Sequence, residues 1–182
     1  MLFNLFGKKK TDPPAAAFID NIYISTAAKL NACLDLARKE PNTIFICWFP
    51  DTLVQFNEFF RQNGVMENCT IEARHVHSAI LQFKTAVFTE HHPLHKKETE
   101  LVANWLQKEI KVFNALDEPL LKHFGSEKII SLMKQMGIKD DEALQHPMIT
   151  RAIINAQEKI ASKLITELAA GSQAAWMEKN VK

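Results

Sequence analysis

The chain has 182 residues, a formal charge of +1 and an apolar fraction of 47%. That length fits one domain with an appendage, and that composition can bury a core. The near-neutral charge removes the bulk electrostatic case for nucleic acid, and no apolar run is long enough to span a bilayer.

The opening MLFNLFGKKKTDPP reads as part of a flexible basic segment, residues 1–17. Its lysines follow its short apolar stretch, the reverse of a secretory signal. Leu2 to Lys10 would make at most a weak peripheral membrane contact. Asp12-Pro13-Pro14 is a linker, and the folded part is expected to start near Phe18. Ile19 to Ser25 predicts a strand. Ala27 to Lys39 predicts a helix, with Leu30, Cys33, Leu34 and Ala37 inward. Thr43 to Phe49 is almost continuously apolar, as in a strand buried on both faces of a parallel sheet. Pro50-Asp51-Thr52 turns the chain into a helix over Leu53 to Gln62, which Asn63-Gly64 stops. Phe56, Phe59 and Phe60 on that helix read as core, with Phe59 or Phe60 left over for a partner contact.

Cys69 to Val76 alternates and predicts a strand, as does Thr85 to Thr89. Thr99 to Gln107 predicts a helix with Leu101, Val102, Trp105 and Leu106 inward, and Glu109 to Leu116 the last strand. Lys108, Glu109 and Lys111 make a solvated strand end. Strands alternating with helices imply a parallel sheet with right-handed crossovers. Beyond residue 122 everything reads as helix to about Met177, with a break near Gly171 and Trp176 docking the tail. Within it, Ser126 and Glu127 open one helix, whose stripe is Ile129, Ile130, Leu132, Met133 and Met136, and Gly137 closes it. Pro147 opens a second helix with Ile149, Ala152, Ile153, Ala156 and Ile160 on one side. Cys33, Cys47 and Cys69 have no paired or CxxC spacing and read as buried thiols of a reducing, cytoplasmic compartment.

The histidines His75, His77, His91, His92 and His95 fall close together in sequence. His75 and His77 would share one strand face and, with His92 or Glu90, could hold zinc for hydrolysis. Their spacing matches no standard zinc signature, and a half-exposed polar role is the competing reading. Glu90 alone, without a partner, does not define an acid–base pair.

Phe124-Gly125-Ser126, Met136-Gly137, His146-Pro147, Thr150-Arg151-Ala152-Ile153 and Asn155-Ala156-Gln157 occur in a fixed order. This run resembles the SecA preprotein translocase motor family, where a like segment follows the second motor domain and leads into the scaffold helix. Asp117 to Leu121 resembles the acidic turn before that segment. Thr89, Glu90 and His92 fall on matching positions of the turn before the family's last nucleotide-sensing motif, with His91 replacing an arginine. The resemblance spans about residues 20 to 165. It implies an α/β, RecA-like parallel sheet flanked by helices over residues 18–122, followed by an all-helical C-terminal extension over residues 123–182.

The chemistry of such a motor is missing. No GxxxxGK[ST] loop occurs, and the chain's five glycines are scattered. Glu100 to Glu109 carries Val102, Asn104 and Gln107 in place of an arginine- and glycine-rich motif, and Arg74 to Lys84 replaces a glycine-rich loop. Arg61, Arg74 and Lys96 are the cations left to complete a site elsewhere.

Three readings follow. The first is a non-catalytic SecA-like interaction or regulatory module without a cofactor. It engages a protein partner or a second copy through Ile149, Ala152, Ile153, Asn155, Ala156, Gln157 and Ile160. The second is a metal-dependent hydrolase built on His75, His77 and His92. The third is a regulator that binds ATP or ADP without turnover.

Overall fold

In the computed structural model, which describes residues 16–65, 67–82 and 84–181, five parallel strands form one sheet in the order β1-β5-β4-β2-β3. They are β1 (Ala17–Tyr23), β2 (Thr43–Cys47), β3 (Thr70–Glu72), β4 (Thr85–Phe88) and β5 (Glu109–Ala115). Interior β2, between β4 and β3, is buried along its whole length, because helices cover both faces of the sheet. The pleat sends Phe45, Cys47, Val87 and Phe113 to one face, against α1 (Thr26–Lys39) and α2 (Pro50–Gln62). It sends Ile44, Ile46, Ala86, Phe88, Ile110 and Val112 to the other, against α3 (Ser78–Leu81) and α4 (His95–Val102).

Local chemistry explains the helix ends. Ser25 Oγ accepts from Ala28 N at 3.2 Å at the start of α1. Pro50 stands in the first turn of α2, where its missing N–H costs nothing. α5 (Pro119–His123) is a short helix where the sequence reads only as an acidic turn, and α6 (Ser126–Gln135) follows at once. Gly137, at φ 70°, closes that turn in the left-handed region that glycine tolerates. His146 caps α7 (Pro147–Lys163) by accepting from Met148 N.

The helical extension folds back over the carboxyl ends of the strands. Ile22, Leu116 and Leu121 meet Met133, Leu144 and Ile153 in one cluster. Phe49, Leu94 and Leu120 meet Ile160 of α7 and Trp176 and Met177 of α8 (Gln173–Asn180) in another. Leu144 also exchanges backbone hydrogen bonds with Ile22, covering part of the outer edge of β1.

Several expectations change. The Cys69 to Val76 strand shrinks to Thr70–Glu72 between two 3₁₀ turns. His75 therefore ends a turn, His77 precedes α3, and neither occupies a strand face. The Thr99 to Gln107 helix ends at Val102 and starts earlier, at His95. Gln107 is drawn away because its amide donates to Ala86 O at 2.8 Å and accepts from Ala86 N at 2.9 Å, pairing the start of β4. The last helix is interrupted between Lys163 and Gln173, where Glu167 accepts from Trp176 Nε1 and pairs with Lys97. Phe56 and Phe60 are core and Phe59 is half-buried against them. No helix among the described residues is long and apolar enough to cross a membrane. The proposed membrane contact of Leu2 to Lys10 lies outside the described residues.

Candidate functional site

Strand β4 leads into Thr89-Glu90-His91-His92, and all four residues are buried. A polar run can enter a core only if its groups find partners. The Thr89 hydroxyl donates to Ile46 O, and Thr89 O accepts from Lys29 Nζ at 2.8 Å. Lys29, on α1 and 2% exposed, also pairs with Glu118, whose second oxygen accepts from Ala115 N at 3.1 Å. Burial disfavours the charged Lys29 ammonium, but Glu118 and then Glu90 hold its pKa above the ordinary value.

His91 is clamped between two carboxylates. Its Nε2 lies 2.6 Å from Asp20 Oδ1 on β1, and its Nδ1 lies 2.8 Å from Glu98 Oε1 on α4. Burial disfavours the imidazolium, yet Glu98 and Asp20 outweigh that and raise its pKa well above 6.5. Asn114 donates to Asp20, while His92 N and Gln157 Nε2 donate to Glu98. His92 has the opposite fate: burial, and then Lys97, lower its pKa to about 4. It stays neutral, packed on Trp48, Phe49 and Trp176.

Glu90 faces a cleft of about 370 Å³ at the carboxyl edge of the sheet, where ligands of open α/β domains bind. Lys29, Glu90, Glu118 and Gln173 are its buried part, and Asp51, Gln55, Asp117 and Thr52 stand further out. Burial pushes the Glu90 carboxyl up to about 7; Lys29 opposes this, Glu118 adds to it, and Thr52 and the Trp48 backbone oppose it weakly. Glu90 Oε1 has no hydrogen-bond partner among the described residues.

The structure thus brings Thr89, Glu90 and His92 into one polar knot, but not the zinc trio. His77 lines a separate cavity at the amino ends of β4 and β5 with Thr85 and Glu109, across the sheet from His92. Among the described residues, no group of three or more His, Cys, Asp or Glu is placed to hold a metal ion. Arg61 is exposed on α2, Arg74 pairs with Glu72, and Lys96 pairs with Glu100; none lines the cleft. On α7, Ile153, Ala156, Gln157 and Ile160 are buried within the chain, Ile149 is half-buried, and Ala152 and Asn155 are exposed. The apolar stripe expected to be free for a partner is therefore largely used for internal packing. Cys33 and Cys47 are buried, with thiol pKa values raised by burial.

Sequence reading missed Lys29, Asp20, Glu98 and Gln173, and read Glu118 only as part of an acidic turn. Of the missed four, Lys29 left a trace: it stands four residues before Cys33, within the apolar stripe of α1.

A five-stranded parallel sheet, flanked by helices and followed by a helical part, is consistent with a RecA-like α/β domain. The chain also contains a region related to SecA. Over 53 residues the chain is 42% identical to the protein translocase subunit SecA of Acidithiobacillus ferrooxidans and 47% identical to that of Ehrlichia canis. Each match covers 29% of this chain and 6% of the relative. The SecA subunit of Rickettsia akari is 44% identical over 50 residues, 28% of this chain and 6% of its own length. The chain thus matches only a small part of these relatives, and no protein-family model matches it.

Proposed function

We propose that this chain is a SecA-like interaction or regulatory module without catalysis, linked to protein translocation. One observation carries the reading: the two buried cations at the carboxyl edge, Lys29 and His91, are locked against carboxylates. His91 stands where the resemblance expects an arginine, and it is held by Asp20 and Glu98. The nearby cleft presents Asp51, Glu90, Asp117 and Glu118 against Lys29, a lining that repels a polyphosphate. The SecA-related region supports the link to translocation. The partner surface is assigned to exposed residues of the extension, among them Ala152 and Asn155 with Met148 on the first turn of α7, and Ile165 and Leu168 beyond its end.

The test is ATP turnover with Mg²⁺ on the full chain, together with calorimetry using ATP and ADP. The expected result is no turnover and no nucleotide binding, while added chain changes the ATP turnover of a purified SecA translocase subunit. Motor-like turnover would overturn the reading. Binding without turnover would replace it with the nucleotide-binding regulator.

A further inference from the structure

The inner wall of the carboxyl-edge cleft has one uncommitted polar atom among its described buried groups. Lys29 is held by Glu118 and Thr89 O. Glu118 is held by Lys29 and Ala115 N. The Gln173 amide accepts from Leu120 N and donates to His91 O. Asp117, further out, accepts from both the backbone and the hydroxyl of Thr26. Glu90 Oε1 alone lacks a partner, although Glu90 is 4% exposed and lines the cleft. A buried acceptor without a donor is costly, and its natural complement is a donor brought by a ligand.

The surroundings choose the sign of that ligand. Asp51 and Asp117 add negative charge to the cleft, and the ammonium of Lys29 is already neutralised by Glu118. The space, about 370 Å³, is on the order of ten times the ~30 Å³ that one water occupies in the liquid, more than a bare metal ion fills. No metal-ligand group is assembled among the described residues.

We propose that this cleft binds an organic cation, an alkyl guanidinium or ammonium, whose head donates to Glu90 Oε1 while Asp51 and Asp117 attract it. A free amine and the basic side chain of a partner protein present the same chemistry. Such a site does not require the chain to be catalytically silent, so it stands apart from the ATP test above. The charged and titratable groups around Glu90 are Lys29 from α1, Asp51 from α2, Cys47 from β2, and Asp117 and Glu118 after β5. Because burial raises Glu90 to about 7, binding a cation must release its proton near neutrality.

The experiment is calorimetric titration of the full chain with agmatine at about pH 6 and about pH 8, repeated near pH 7 in two buffers of different ionisation enthalpy. Saturable binding, stronger at the higher pH and accompanied by proton release, is expected. Glu90→Gln should weaken it at least tenfold, and Asp51→Asn a few-fold. No saturation by about 20 mM, equal affinity at both pH values, or no proton release would each sink the proposal. So would saturation by Mg²⁺ with none by agmatine. If Glu90→Gln fails to fold, the wild-type proton release still decides. A short peptide with one arginine that binds more tightly than agmatine assigns the site to a partner's side chain; the reverse order assigns it to a free amine.

Discussion

Lys29 carries a charge into a site 2% exposed, and Glu118 with the Thr89 carbonyl makes that tolerable. Breaking a buried pair leaves an uncompensated charge, so Lys29→Met is expected to cost about 3–5 kcal/mol, read from the urea midpoint. Lys29→Met combined with Glu118→Gln should recover part of the loss, since neither charge is then left alone. Glu90 sets a pH dependence of defined sign. Its folded pKa of about 7 exceeds the ordinary 4.5, so between those values the folded chain holds a proton that the unfolded chain has released. Its contribution to stability therefore falls as pH rises from 4.5 to about 7 and is level above. His91, raised well above 6.5, also loses its contribution on the alkaline side, so the raw curve mixes the two. The difference between Glu90→Gln and wild type isolates Glu90. It should shift in favour of the variant from about pH 5 to about pH 8, by on the order of 3 kcal/mol at most. A difference that stays flat across that range contradicts the assignment.

At the element scale, side-chain amides do the joining. Gln157, 0% exposed, ties α7 to the turn after β4 by donating to His92 O at 2.7 Å and to Glu98 Oε2 at 3.0 Å. Gln157→Leu keeps the approximate volume but leaves both acceptors short of a donor, at a cost of about 1–3 kcal/mol. Amide hydrogen exchange in α7 should quicken more than in β2, because the lost bonds belong to the docking of that helix. Gln107 plays the corresponding part for β4 through Ala86. Gln107→Ala should speed exchange at Ala86 N while leaving the β1–β5 ladder slow. Equal acceleration across the sheet would count against this local role.

For the whole molecule, the extension is part of the core of the α/β unit. Phe49, Leu94 and Leu120 are covered by Ile160, Trp176 and Met177, and the His91 carbonyl by Gln173. A chain ending at residue 146 would expose that cluster and open the polar knot. It should lack a cooperative thermal transition by circular dichroism, whereas the full chain should show one. A cooperative, monomeric 1–146 fragment would instead make residues 147–182 a separable appendage.

The order of strands and helices was legible in the chain because period and punctuation are local. The apolar run of β2, the stripe of α1, Gly137 and Pro147 each declare an element without reference to anything distant. Thr89, Glu90 and His92 were legible as a turn through their resemblance to SecA. The partners of that turn were not, because Asp20, Lys29, Glu98, Glu118 and Gln173 are brought together only by strand order and by the return of the extension. The same return turned the α7 stripe inward, while β4, running between His77 and His92, holds those two at opposite ends of the sheet. Periodicity shows that a helix has an apolar side, while what covers that side depends on where the chain folds back. The sequence by itself therefore determined the α/β class and the kinship of one region. Tertiary structure decided which charges are paired and which carboxylate, Glu90, is left with an unsatisfied oxygen.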